Sequence, residues 1–504
     1  MAATSADARS LGSPGLRRGA VGLREVLFQS ITDMAPGAAI AASIPAGAAL
    51  AGGALPLSVF FALIACLFCA ACVGMLARHM PAAGSLATYA ARGLHPAIGF
   101  LVAWGYVLVG ALIPPLVLLQ LGFTTATTIH AEAGGYPADL WWPWSILGAL
   151  IVLVVGYFGI RTSARLGTVL GVFEIGVFLV LGIFLVVHAG SHNTAEVFGT
   201  KFTPDGFRGL SGVIGGSVYT VLAFGGFEGA APLAEEARDP RRTVQRAVLG
   251  ATLSIGILYL FTTYAADVAF GPAKFSTFSG AGPASWEGMA RALYGLFWFF
   301  VFLAIVNSTI ANANAGVNVS SRTAFAMGRI RAFPHFLAGV HHRYRSPVAA
   351  IALGTVVTIA VALSLGLAYT PEVAFAMVGT GIVIVLAAIY IVVDVACIGF
   401  FARRRREGLG WNPLLHVVVP VLGVAAFIPA WLTAAGIRAF SFVAALTPPV
   451  SYMGPGVAAW MLVGLAYLFY LYARDPRRVA EVGLVHLDAD VGASPVRTSR
   501  GETS

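Results

Sequence analysis

The stretch SITDMAPGAAIAASIP, residues 30–45, is apolar enough to lie in a bilayer, yet it carries Asp33 and a Pro36-Gly37 pair near its middle. Proline removes a backbone donor and clashes with the preceding turn, so a helix through this stretch is interrupted there. A second stretch, VYTVLAFGGFEGAAP at 218–232, sets Gly225-Gly226 and then Glu228 inside another apolar run. Paired glycines favour unwinding. Backbone groups freed at membrane depth must face protein or a water-filled cavity. Counting apolar runs puts the two breaks five segments apart, and an odd offset turns the second copy upside down. Interrupted helices at matching places in two inverted halves point to a transporter's substrate site.

Working outward, twelve apolar segments are expected, at about 26–50, 55–76, 97–122, 143–160, 166–188, 210–233, 247–270, 288–318, 347–367, 372–398, 414–437 and 455–473, the third extending as far as Ile129. The 504 residues are 58% hydrophobic and 11% charged, against about 25% charged in a typical soluble domain. Mean hydropathy is +0.84. A soluble enzyme, a disordered protein and a secreted disulfide scaffold are excluded. The expectation is an all-α integral membrane protein with twelve transmembrane helices. Residues 1–24 and 474–504 read as cytoplasmic tails around a transporter domain at 25–473. The first 24 residues are polar, and the apolar run behind them is long enough to be retained rather than cleaved as a signal.

The net charge of +9 suggests nucleic acid only until the charges are placed. With both termini inside, 26 of the 31 Lys and Arg fall in inner segments, and only Lys201, Arg208, Lys274, Arg291 and Arg438 fall outside. The alternation holds to the C-terminus, so the charge reports topology and no nucleic-acid partner is expected. Arg403–Arg406 reads as an anchor at the inner leaflet, with an anionic-lipid site as the alternative. Cys66, Cys69 and Cys72 form CxxCxxC inside an apolar run, where small packing residues are the reading preferred over a metal site. No metal or cofactor is expected. Lysine occurs only at 201 and 274, and the dominance of Ala, Gly and Arg points to a GC-rich bacterial genome and a bacterial plasma membrane.

Three stretches carry a family resemblance. They are PAAGSLATYAARGLHPAIGFLVAW at 81–104, FGGFEGAAPLAEEARDPRR at 224–242 and NVSSRTAFAMGRIRAFP at 318–334. With the segment count, they resemble the amino acid permeases of the amino acid–polyamine–organocation superfamily over about residues 25–473. The resemblance implies the LeuT-type fold, with a 5+5 inverted repeat at about 26–188 and 210–398. Two extra helices at 414–473 would form scaffold or homodimer contacts. It implies alternating access, with helices 1, 2, 6 and 7 rocking against 3, 4, 8 and 9. The chain departs from the family twice. Pro36-Gly37-Ala38-Ala39 stands where many members have Gly-x-Gly, and the loop GIRTSARLGTVL at 159–170 places Glu174 where many proton-coupled members have a lysine.

The candidate substrate site comprises Asp33, Ala35, Pro36, Gly37, Ala38, Ala39, Phe224, Gly225, Gly226, Phe227 and Glu228. Backbone N–H groups near Gly37–Ala39 suit a carboxylate, and carbonyls around Phe224–Gly226 suit an ammonium. Intramembrane acids are costly and are functional candidates by default. Glu228 either binds an amine or responds to pH, or it holds the unwound segment by accepting backbone N–H bonds. Asp33 either attracts an amine, or caps the second half of the broken helix, or pairs with an arginine. Glu174 either couples proton movement to conformational change or is a hydrogen-bonded structural acid. Asp394 reads as a structural contact near the Arg403 run. Asn307, Asn314 and Asn318 share one helical face and, with Trp104, either line the translocation path or pack between helices. Phe224 and Phe227 are raised from packing residues to pocket candidates by the resemblance, because helix 6 aromatics flank the site in the family.

No catalytic constellation stands out. The expected activity is secondary import of an amino acid coupled to protons, with sodium as the alternative coupling ion. A polyamine or other amine permease of the same fold is the near alternative, and a membrane nutrient sensor the distant one.

Overall fold

In lipid every backbone polar group has to be satisfied within the protein, and a helix does so within its own segment. A computed structural model describes residues 22–81, 84–158, 163–235, 237–280, 285–329, 334–341, 346–406, 410–443, 446–474 and 479. Both expected tails fall almost wholly outside these residues.

The chain opens with α1 (Leu23–Met34), followed by a helical stretch over 36–51 that includes a π turn at Ala39–Ser43. Next come α2 (Leu55–His79), the short α3 (Ser85–Gly93), α4 (Pro96–Ala133) and α5 (Trp142–Phe158). They are followed by α6 (Ser163–Ala189), α7 (Leu210–Phe224), α8 (Pro240–Phe270) and the short α9 (Trp286–Tyr294). The last elements are α10 (Phe297–Arg329), α11 (Val348–Ala368), α12 (Pro371–Arg406), α13 (Val419–Ala435) and α14 (Met453–Arg474). Among the described residues, ten helical runs are long and apolar enough to cross a membrane. The first of them, Leu23–His79, spans 57 residues and contains the first two expected segments. Trp142–Phe158, at the fourth expected segment, is a shorter apolar helix.

Several boundaries differ from the sequence expectation: α8 begins at Pro240 rather than 247, α10 runs to Arg329 rather than 318 and α12 to Arg406 rather than 398. The third segment runs on to Ala133 as part of α4, beyond the expected Ile129, through Pro114-Pro115. The eighth divides, because α9 ends at Tyr294, capped by Gly295, and α10 begins at Phe297.

The most buried spans are the first, α4, α7 and α12, and they form the centre. Helix α8 lies along α2, while α10 and α12 lie along α4. Close approach depends on small residues. A Cβ on Gly47 would come 2.9 Å from the carbonyl oxygen of Gly216 on α7. Ser58 at the start of α2 donates to Val213 O at 2.8 Å, and Thr220 donates back to Ser58 O at 3.1 Å. Outward-facing Leu147, Val154, Val187, Val356, Leu462 and Phe469 are exposed, as expected of side chains that meet lipid tails.

Candidate functional site: two broken helices held together

The first break falls at Ala35, one residue before the proline. Ala35 adopts a left-handed conformation (φ 45°, ψ 68°), and its N–H donates to Thr32 O at 3.1 Å. Pro36 is the first residue of the next helical piece, a position where its missing N–H costs nothing. The proline therefore restarts the helix. The Ala39 N–H already bonds to Ala35 O at 2.9 Å, so Gly37 and Ala38 carry the amides at the open end.

The second break falls where α7 ends at Phe224. Gly226 has φ +108°, a conformation that L side chains avoid. The chain continues as a 3₁₀ helix over Phe227–Glu235. A Cβ on Gly226 would come 2.6 Å from the Asp33 carbonyl, and one on Gly229 would collide with the Asp33 carboxylate. The two glycines thus make the room in which α1 approaches the second break.

Four side chains pin the breaks. Ser30 donates to Phe227 O at 2.7 Å and accepts from the Ala230 N–H at 2.9 Å, bridging one turn of the 3₁₀ helix. The Tyr259 hydroxyl on α8 lies 3.0 Å from Met34 O and 3.1 Å from Ala223 O, sharing its single proton between the two breaks. Asn312 on α10 donates to Asp33 O at 2.8 Å, and Gln120 on α4 donates to Ala38 O at 3.0 Å. These bonds satisfy carbonyls that unwinding removes from the helical ladder.

Glu228 is almost fully buried and accepts three hydrogen bonds. Tyr106 on α4 donates to Oε1 at 2.5 Å, Tyr390 on α12 donates to Oε2 at 2.8 Å, and the Gly226 N–H donates to Oε2 at 3.2 Å. It thereby ties the second break to two neighbouring helices. Asp33 accepts from Gln29 Nε2 at 3.0 Å. Glu174 on α6 faces the Gly37 backbone, Ser308 and Asn307, and its Oε2 has no hydrogen-bond partner among the described residues. A Cβ on Gly37 would lie 3.0 Å from Ala304 O, 3.0 Å from the Ser308 Cβ and 3.1 Å from Glu174 Oε2. Glycine at 37 is what lets α6 and α10 meet at the first break. Among the described residues no lysine or arginine pairs with Asp33, Glu174 or Glu228.

The structure brings together Asp33, the 35–39 stretch, Glu174 and the 224–228 stretch. Phe224 and Phe227 belong to it as fully buried rings, one packed edge-on against Tyr259 at 5.3 Å and the other against Tyr390 at 4.9 Å. Of the asparagine stripe, Asn307 stands beside Glu174 and reaches Leu170 O at 3.5 Å. No hydrogen bond joins the side chains of Asn314 and Asn318 to either break among the described residues. Trp104 stands apart from the breaks. It stacks on Trp460 of α14 at 4.8 Å, and each indole N–H donates to the other's carbonyl, at 3.0 and 3.3 Å. Sequence reasoning missed Gln120, Asn312, Ser30, Tyr106, Tyr259 and Tyr390. Gln120 carried a signal, as a lone amide in the apolar run of α4.

A chain of apolar spans built around two apposed helix breaks is the architecture of a membrane permease. The model of the amino acid permease family matches residues 21–469, and the chain belongs to that family. It is 27% identical to a low-affinity putrescine importer of Escherichia coli, over 76% of this chain and 81% of that one. It is 27% identical to a histidine permease of Lactococcus lactis, over 60% of this chain and 62% of the other. It is 28% identical to an uncharacterized transporter of Mycobacterium tuberculosis, over 68% and 74%. At family level the protein is a secondary transporter of small molecules across a membrane. Among the described residues no group of three His, Cys, Asp or Glu is placed to hold a metal ion.

Proposed function

We propose that the protein imports an amino acid across a bacterial plasma membrane by alternating access, driven by an inward proton gradient. The observation that carries this reading is the apposition of two helix breaks ringed by Asp33, Glu174 and Glu228, none paired with a basic residue among the described ones. An ammonium group suits such surroundings, since uncompensated carboxyl groups and free carbonyl ends favour a cation. The open amides at Gly37 and Ala38 would take the substrate carboxylate. The topology that goes with this reading has twelve spans with both termini inside, an inverted repeat of five and five, and α13 and α14 outside the repeat.

Glu174 is the coupling group in this scheme. It sits where α1, α6 and α10 meet, with one oxygen unpartnered, and any rocking of α1 against α10 changes its hydration. A second reading is favoured by the same residue. Glu174 itself faces the Gly37 amide end and would compete with a substrate carboxylate there. A diamine or other organic amine needs no anion site, and the relative described as a putrescine importer supports this alternative.

Uptake of labelled amino acids into proteoliposomes with an imposed inward proton gradient tests both readings. Saturable uptake is expected, lost on collapsing the gradient and competed by particular unlabelled amino acids. Competition by diamines alone would move the assignment to the amine reading. In the same assay Glu174→Gln is expected to flatten the pH dependence and leave the competition profile in place. Unchanged pH dependence in that variant would remove Glu174 from the coupling mechanism.

A further inference from the structure

Asp394 is a second intramembrane acid, outside the site just described. It lies on α12, one turn beyond Tyr390, whose hydroxyl donates to Glu228. Its side chain is fully buried, and no nitrogen or oxygen donor reaches either carboxyl oxygen among the described residues. The space for it is supplied by Gly423 on α13, where any Cβ would collide with Oδ2. The thiols of Cys69 and Cys72 on α2 face it across the seam. The apolar CxxCxxC run of α2 therefore presents its sulfurs to a carboxyl group.

The titratable groups around Asp394 can be named element by element. From α2 they are Cys66, Cys69 and Cys72. On its own helix they are Tyr390 and Cys397, the latter in contact with Cys72. Beyond Tyr390 lies Glu228, whose charge also reaches Cys66 and Cys69, and α3, packed on α12, carries the buried Tyr89. From α13 the neighbouring Gly423 and Phe427 contribute none, Phe427 packing on Tyr390 at 5.4 Å. Toward the Arg403 end stand His79 and His416, the first edge-on to Phe401 at 5.1 Å and the second stacked on it at 3.8 Å. No lysine or arginine pairs with Asp394 among the described residues.

We propose that Asp394 is a second proton-binding site, exchanging its proton with the cytoplasm as α2 moves against α12 and α13. Thiols are weak donors. A carboxylate charge in this dry seam has neither a good donor nor a counter-ion, whereas the protonated acid needs neither. When the seam is closed the group holds its proton as –COOH. When α2 shifts and water enters, the proton leaves to cytoplasmic water and –COO⁻ remains, to be protonated again before the seam closes. The inference rests on the proton-driven reading above only in assigning the event to the transport cycle.

The test uses the full-length protein in proteoliposomes with the internal pH varied. Asp394→Asn is expected to lower the number of protons moved per substrate, read from the reversal potential. It is also expected to abolish the dependence of uptake on internal pH, with the competition profile unchanged. Cys69→Ser and Cys72→Ser supply stronger donors to the ionised form. Each is expected to move the internal-pH midpoint to lower pH by about one unit. Infrared difference spectra on changing internal pH should show a carboxylic acid band that Asp394→Asn removes, a readout that needs no transport. An unchanged proton ratio and an unmoved midpoint in the serine variants would overturn the proposal. If Asp394→Asn does not fold, the serine variants decide, through the internal-pH midpoint and a matching shift in the titration of the infrared band. Uptake by the wild type with no proton dependence would sink proton coupling, and the infrared band would still report whether Asp394 titrates.

Discussion

At the scale of single residues, Glu228 is the most heavily bonded group of the site. Three donors converge on its two oxygens, and all three are buried or part-buried. Glu228→Ala would strand the Tyr106 and Tyr390 hydroxyls and the Gly226 N–H without partners. Each buried donor left unpaired costs about 1–3 kcal/mol, so a loss of about 3 kcal/mol or more is expected. Thermal unfolding in detergent measures it, with Tyr390→Phe expected to cost about 1 kcal/mol in the same assay. Equal small losses for both would mean that Glu228 serves ligand rather than scaffold. The sequence made Glu228 conspicuous because an acid inside an apolar run is rare. It could not reveal the partners, since Tyr106 and Tyr390 are ordinary membrane-core aromatics until a fold aims their hydroxyls. The asparagines teach the same lesson. Periodicity put Asn307, Asn314 and Asn318 on one face, but Asn312, off that face, is the one that holds the Asp33 carbonyl. Spacing groups residues by face without saying which face is turned toward the break.

At the scale of elements, both breaks were legible because they arise from backbone chemistry that Pro and Gly announce. Their form was less so. Pro36 restarts the helix that Ala35 ends, and the second break continues as a 3₁₀ helix. Helix α9 was hidden inside an expected longer span. It docks on the end of α4 through Arg291 paired with Glu132 and through Thr128 donating to Glu287 at 3.3 Å. Trp286 wedges against Phe178 at 5.5 Å. Burial pushes the Glu287 carboxyl up to about 8 from its ordinary 4.5. A raised acid binds its proton more tightly when docked than when released. Docking stability is then full below about 4.5, declines as pH rises and falls no further above about 8. Hydrogen exchange over 286–294, corrected for the intrinsic pH dependence, should rise across that window. Glu287→Gln should flatten it, and the same rise in the variant would assign the effect to another group.

At the scale of the whole molecule, the sequence spoke most clearly. The apolar runs set the helices, and the small residues between them set which helices approach. Most-buried α4, α7 and α12 gather around the breaks, while α14 and α11 show most of their surface. The uneven placement of basic residues has a practical side. Lys201 is exposed beside Glu196, and Lys274 is exposed in the 3₁₀ turn after α8. They are the only lysines in the chain, and the proposed topology sets both on one face of the membrane. A lysine-specific endoprotease therefore has substrates on a single side. It should cut the protein in spheroplasts and spare it in sealed inverted vesicles, and the opposite pattern would turn the topology over. Because Lys201 and Lys274 carry the only side-chain amines of the chain, lysine-directed supports would seize the folded domain by that same face. A sheet of such molecules would stand with all its inner surfaces pointing one way.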